Sequence, residues 1–115
     1  MKGKIITHNH PNGSCFSTED IALLRQTGAA EIRAATKNGT FVINPPDVWS
    51  DEISSFKQLD EIYNEFIDDA IIKAKDTAAR EGKPLLSYLH QAEIEGTRAF
   101  CDKYGLIFRM EVDEL

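Results

Sequence analysis

Residues 31–43 read EIRAATKNGTFVI, and this stretch decides how the rest of the chain is interpreted. Two strand-like runs, 31–36 and 40–43, flank the tripeptide Lys37-Asn38-Gly39. Asn-Gly between two such runs is the strongest short-range signal for a β-hairpin, because both residues tolerate the positive φ values of a tight turn. Two prolines follow at 45 and 46 and end the second strand, since proline has no N–H to donate. The stretch therefore predicts an antiparallel strand pair.

The segment before this hairpin predicts a strand, a loop and a helix. Residues 4–7 are rich in β-branched side chains and lead into a polar loop at 8–16 that is full of turn formers. Ser17 is suited to cap a helix, because its hydroxyl can accept a hydrogen bond from the backbone N–H of Glu19 or Asp20. Gly28 is a natural stop for that helix, which we expect to end at about residue 27.

The second half of the chain predicts two long helices and a last strand. Nothing breaks a helix between about residue 50 or 53 and residue 81, and Gly82 closes it. Apolar side chains recur there three and four residues apart, which is the spacing of one helix stripe: Phe56, Leu59, Tyr63, Phe66 and Ala70. A second helix is predicted over 85–104 and a strand over 106–112. The short connection favours an antiparallel helical hairpin.

These elements indicate an α+β fold, or a small α/β fold, with a short sheet and more helix than average. The chain has 115 residues, so we predict a single domain over 1–115, with a helical hairpin at 50–104 and a final strand at 106–112. The formal net charge of −6 disfavours nucleic-acid binding. No apolar run approaches the roughly 18 residues of a membrane span, and no signal peptide is recognisable. We therefore expect a cytoplasmic protein.

The length of the first long helix predicts self-association. A helix of about 28 residues spans roughly 42 Å, whereas a globule of this size has a radius of gyration near 13 Å. The helix should therefore extend past the core, and its far end must kink, project, or meet another chain. We expect the contact to involve Phe56, Tyr63 and Phe66 together with the facing helix of residues 85–100.

The sequence His8-Asn9-His10-Pro11, followed by Ser17 and Asp20, is the feature that carries chemistry. Two histidines separated by one residue at a strand's end project to the same side and can share a metal ion. An aspartate on the first turn of the next helix can supply a third ligand. Two nitrogens and one carboxylate oxygen leave a fourth position open for water, which is the pattern of a catalytic zinc site (Zn2+).

The full pattern, H-x-H-P-x5-S-x2-D between a strand and a helix, resembles the JAB/MPN (JAMM) metalloenzyme superfamily, and its RadC-like branch in particular. The resemblance covers residues 4–43 as a partial core. It implies that His8, His10 and Asp20 bind zinc and that Ser17 is a catalytic residue that stabilises a developing oxyanion. The segment around the histidines is also similar to the C-terminal part of phage minor head (head-morphogenesis) proteins, which implies a location in the cytoplasm of a bacterial host or in association with a virion.

Two departures from the family pattern predict that this chain is catalytically incomplete. The spacing between His10 and Ser17 is one residue shorter than usual. The family's catalytic glutamate lies upstream, but only seven residues precede His8 and none is acidic. Glu31 and Glu111 are other acids that the sequence does not place relative to the zinc. The alternative is a non-enzymatic assembly or protein-interaction module in which the histidine loop is a relic.

Two further residues bear on the site. Cys15 lies near the histidines and allows two readings, as a nucleophile activated by a histidine or as a fourth metal ligand. His90 falls on the second long helix, where a surface histidine is expected.

Overall fold

The fold was examined in a computed structural model that describes residues 3–9, 16–36 and 39–111. In chain order the elements are β1 (Ile5–Asn9), α1 (Thr18–Thr27), β2 (Glu31–Thr36), β3 (Gly39–Asn44), a 3₁₀ turn (Asp51–Ile53), α2 (Phe56–Glu81), α3 (Leu86–Tyr104) and β4 (Ile107–Glu111). The fold is α+β, and the two long helices pack together, as predicted.

The four strands form one mixed sheet in the order β1-β2-β3-β4. β1 runs parallel to β2, with α1 as the crossover, whereas β2 with β3 and β3 with β4 are antiparallel. The β2–β3 hairpin confirms the strand pair predicted from residues 31–43. Lys37 and Asn38 of the predicted turn lie outside the described residues.

One face of the sheet carries the helices and forms the core. Ile32, Ala34, Phe41 and Ile43 alternate along β2 and β3, and all four are fully buried beneath the helix layer. Side chains two residues apart on a strand share a face, so this alternation aligns the apolar residues of neighbouring strands. Ile6 of β1 joins the same cluster.

The opposite face of the sheet is covered by its own charged side chains. Arg33 of β2 binds Glu31 and Glu111, and Arg109 of β4 binds Asn44 and pairs with Glu31. Burial opposes ionisation of Glu31, but the hydrogen bond and charge of Arg33, aided by Asn44 and Arg109, outweigh it and lower the pKa of this carboxyl. The network explains how a sheet face without a covering helix remains compatible with water.

The helix ends follow the capping signals in the sequence. Ser17 caps α1, and Gly28 ends it in the left-handed conformation (φ 66°), as predicted. α2 begins later than expected because Ser55 forms a capping box with Gln58, and the preceding residues 51–53 make a separate 3₁₀ turn. Gly82 and Gly105 end α2 and α3 at the predicted positions.

The helix stripe that was expected to mediate self-association lies largely inside the molecule, so this part of the prediction is wrong. Tyr63 is 3% exposed, and its ring packs edge-on against the fully buried Phe100. Phe66 is half-buried and also packs against Phe100. Phe56 keeps 44% of its surface exposed. The stripe binds α2 to α3 and to the sheet, because a helix layer needs these apolar groups for its own core.

The helical hairpin continues past the N-terminal start of α1. The hydroxyl of Tyr63 in α2 donates to the carbonyl oxygen of Phe16, which precedes α1, so the later turns of α2 lie beyond the start of α1. There the two helices pack on each other through a small cluster formed by Ala70, Ala74 and Ala92. The molecule measures 47 × 39 × 18 Å with a radius of gyration of 14.7 Å. This is larger than the roughly 13 Å of a compact globule, as the projecting hairpin requires.

Among the helices of the described ranges, none combines the length and the apolar character that crossing a membrane would need.

Candidate metal site

β1 is longer than the sequence predicts, and this places His8 in the sheet. The strand was expected to end at Thr7, but it continues to Asn9, and His8 lies opposite Ala34 of β2. The prediction that His8 belongs to the polar loop is therefore wrong. Pairing with β2 extends the strand, a tertiary effect that the turn-rich composition of the loop does not reveal. His8 consequently has a backbone fixed by the ladder and lies on the helix-covered side of the sheet, like Ile6.

His8 and Asp20 meet at the point where α1 begins. The Nδ1 of His8 lies 2.8 Å from the Oδ1 of Asp20, although the residues are 12 positions apart. The imidazole is 38% exposed, whereas the Asp20 side chain is 8% exposed. The predicted contact between the strand and the first turn of the helix is therefore formed, and it is open to solvent from the histidine side.

Ser17 fixes the second oxygen of the same carboxylate. Its backbone N–H donates to Asp20 Oδ2 at 3.0 Å, and its hydroxyl accepts from the backbone N–H of Asp20 at 3.3 Å. This is the reciprocal capping box that a serine and an acid three residues later favour. The carboxylate of Asp20 is thus held by both oxygens. The hydroxyl of Ser17 accepts in this cap, so its own hydrogen is still available for donation to a ligand.

The remaining predicted ligands cannot be placed. His10 and Cys15 lie outside the described residues, so the structure brings together two of the three proposed metal ligands. Within residues 3–9, 16–36 and 39–111, no group of three or more His, Cys, Asp or Glu side chains is arranged to hold a metal ion.

The two proposed ligands that are placed have donor atoms that suit zinc, but their present spacing is that of a direct hydrogen bond. Zinc binds imidazole nitrogen and carboxylate oxygen at about 2.0–2.2 Å, so neighbouring ligand atoms of a tetrahedral site lie roughly 3.3 Å apart. The His8–Asp20 pair, at 2.8 Å, would have to open by about half an ångström. A movement of this size needs only a small side-chain rotation. The capping bonds to Asp20 would act as the outer contacts that orient a metal ligand.

The two acids that the sequence left unplaced lie on the wrong side of the sheet. Glu31 pairs in register with Ile5, and Glu111 with Thr40, so both carboxylates belong to the face opposite His8. Arg33 and Arg109 engage both of them there. Neither acid is therefore positioned to act as a base on a metal held by His8.

One connection that supports the site was not predicted from the sequence. The hydroxyl of Thr18 donates to Asp60 of α2 at 2.8 Å, and Asn64 donates to the same carboxylate oxygen. This bond fixes the start of α1 against the long helix. Because the partners are 42 residues apart and both are ordinary helix residues, no local pattern could have indicated it. Beside it lies a cavity of about 360 Å³ that Glu19, Tyr63 and Glu93 help to line.

Comparisons with known proteins give no match: no family model, no curated protein and no solved structure corresponds to this chain.

Proposed function

We propose that this chain is a JAB-like metal-binding domain of a phage- or prophage-related protein, in which His8, His10 and Asp20 hold a zinc ion. The observation that supports the proposal is the 2.8 Å contact between His8 and Asp20, two residues that the motif pairs from distant positions. The protein acts in the cytoplasm of a bacterial host or within a virion.

The chemistry of such a site can be assigned residue by residue. Bound zinc would lower the pKa of a coordinated water to near neutrality. On the protein side, Asp20 is held in place by the Ser17 cap, and His8 is held by the β1–β2 ladder. The hydroxyl of Ser17 donates towards developing negative charge. The two acids considered for taking the proton from that water, Glu31 and Glu111, lie on the other face of the sheet and are not positioned to do so. The domain therefore binds metal without completing hydrolysis.

The test is a zinc titration followed by thermal unfolding. A metal that binds the folded state alone stabilises it by mass action, by about 2.7 kcal/mol at 100 times its dissociation constant. Wild-type protein should gain thermal stability with zinc, and His10→Ala should lose this gain. His90→Ala is the matched control, because His90 lies on α3 beside Phe41 rather than in the motif. Equal zinc responses in wild type and His10→Ala would refute the site.

A second function, assembly through the helical hairpin, is supported by a separate observation. Leu86 is 79% exposed and Ile72 is 62% exposed, and both lie on the part of the hairpin that projects past α1. We propose contact with a protein partner, or with a second copy, at this end. Sedimentation over a wide concentration range would show association that Leu86→Ser and Ile72→Ser reduce. A monomer at all concentrations and no change in partner binding by these variants would exclude it.

A further inference from the structure

β1 forms one edge of the sheet, and it carries neither the charged residues nor the proline that often protect an exposed edge. Along the described ranges its strand neighbour is β2, and its other side faces no strand. The five residues Ile5–Asn9 include no Asp, Glu, Lys, Arg or proline. Folded proteins usually protect such edges with charge, proline or a bulge, because the backbone N–H and C=O groups can otherwise pair with another chain.

The opposite edge of the sheet differs. β4 carries Arg109 and Glu111, whose charges are paired with each other and with Glu31. Ion-paired charge of this kind discourages a further strand. Because β1 carries no such charges, we assign the binding role to the β1 edge and not to the β4 edge.

The β1 edge is also accessible and lies beside the candidate metal site. Ile5 is 56% exposed, and Thr7 and Asn9 are exposed as well. His8 lies between Thr7 and Asn9 in the strand, and its side chain contacts Asp20 on the helix-covered face of the sheet. A polypeptide added along this edge would therefore run directly past the His8–Asp20 pair.

We propose that β1 accepts an extended polypeptide segment of a partner protein as a fifth strand. The edge presents alternating N–H and C=O groups at the repeat of a β-strand, about 3.3 Å per residue, and a peptide backbone is the ligand that matches this ladder. The uncharged side chains of β1 fit an uncharged segment. This binding does not require the metal site of the proposed function.

A second copy of this chain is a less suitable occupant. Five residues of strand span about 17 Å, and pairing β1 with itself would bury a narrow strip. Stable protein dimers bury about 800 Å² on each partner. A short segment that folds on binding has no such requirement, because it gains its affinity from main-chain hydrogen bonds and a few side chains.

The experiment uses nuclear magnetic resonance of the full chain in the presence of a chelator. The probe is a capped peptide, Ser-Thr-Val-Thr-Val-Thr-Ser, and its control is the same peptide with alternate amides N-methylated. We expect saturable shifts of the amide signals of Ile5, Thr7 and Asn9 with the first peptide and at least tenfold weaker binding of the second. The amides of Ile107–Glu111 on the opposite edge should stay unchanged.

Variants of the two edges provide a matched comparison. Thr7→Glu should weaken the peptide several-fold, whereas Ile107→Glu should have no effect. The peptide titration contains a chelator and the zinc titration contains no peptide, so failure of the zinc site and failure of the strand site give different results. The proposal would be overturned if the amide signals of β1 did not shift at millimolar peptide, or if the methylated peptide bound equally well. It would also be overturned if these signals changed with protein concentration alone.

Discussion

Gly96 of α3 lies against Ile67 of α2 so closely that a β-carbon at position 96 would be 2.9 Å from Ile67 Cδ1 and 3.0 Å from Ile67 Cα. The carbonyl oxygen of Phe66 would also be 3.0 Å away. Two of these three atoms belong to backbone, which cannot rotate aside. The contact fixes the distance between the two long helices at the level of the core, just before they project beyond α1.

Gly96→Ala should therefore destabilise the protein despite the better helix propensity of alanine. Overpacking costs typically 1–3 kcal/mol, and the gain in propensity offsets about 1 kcal/mol. We expect a net loss of about 1 kcal/mol in the free energy of unfolding, measured by urea denaturation. In an Ile67→Val background, which lacks Cδ1, the loss should be smaller. A fully additive double-mutant cycle would show that the close contact does not limit the packing.

Ser17→Ala should destabilise α1 without abolishing the zinc response. Loss of a serine cap costs about 1 kcal/mol. It also removes one of the hydrogen bonds that hold Asp20 in place, the bond from its backbone N–H to Ser17 Oγ. The backbone N–H of Ser17 still donates to the carboxylate in the variant. We expect lower thermal stability and a retained shift on adding zinc. Loss of the zinc shift in Ser17→Ala would mean that the serine hydroxyl is needed to form the site itself.

The zinc-loaded chain should not hydrolyse peptide or isopeptide bonds. Positioned proton transfer contributes about 10²–10⁴ in rate, and the two acids considered for this role, Glu31 and Glu111, are bound to arginines on the far face of the sheet. The measurement is incubation with a broad peptide and isopeptide library. Turnover that disappears in His8→Ala would contradict the prediction. Glu19→Gln would then be the first variant to examine, because Glu19 shares a depression with His8 and Asp20.

Tyr104 should make the fold sensitive to alkaline pH. Burial, together with the hydrogen bond that its hydroxyl donates to Glu52 at 2.8 Å, raises the pKa of Tyr104 from its usual value of 10.0 to about 12. Because the folded pKa exceeds the unfolded one, the contribution is fully present below pH 10 and is lost as the pH rises towards 12.

The check is the free energy of unfolding between pH 9 and 11.5 for wild type and Tyr104→Phe. The variant lacks the titrating hydroxyl, so its stability should fall less steeply over this range. Tyr88→Phe is the comparison with a smaller expected effect: Tyr88 is half-exposed, although its hydrogen bond to Glu81 also raises the pKa of Tyr88. Parallel curves for wild type and Tyr104→Phe would show that this tyrosine does not contribute to the alkaline transition.

The sequence by itself determined the parts of the fold that depend on local signals. Gly28, Gly82 and Gly105 end their helices where predicted, because a left-handed residue at a helix end is a local requirement that glycine satisfies. The strand pair around Asn38-Gly39 and the cap at Ser17 follow from the same kind of short-range chemistry. The motif also predicted that His8 and Asp20 lie close together as ligands of one metal; the structure places them 2.8 Å apart, and metal binding stays a prediction.

The tertiary structure alone decided which surfaces are inside and where distant charges meet. The stripe containing Tyr63 and Phe66 has the same periodicity whether it faces a core or a partner, and only the position of Phe100 shows that it faces the core. β1 extends through His8 because its backbone pairs with that of β2. Glu31 and Glu111 are assigned to the face away from the metal site by sheet register, which joins residues up to 78 positions apart. Local sequence patterns do not encode such pairings, because they arise from how the elements pack together.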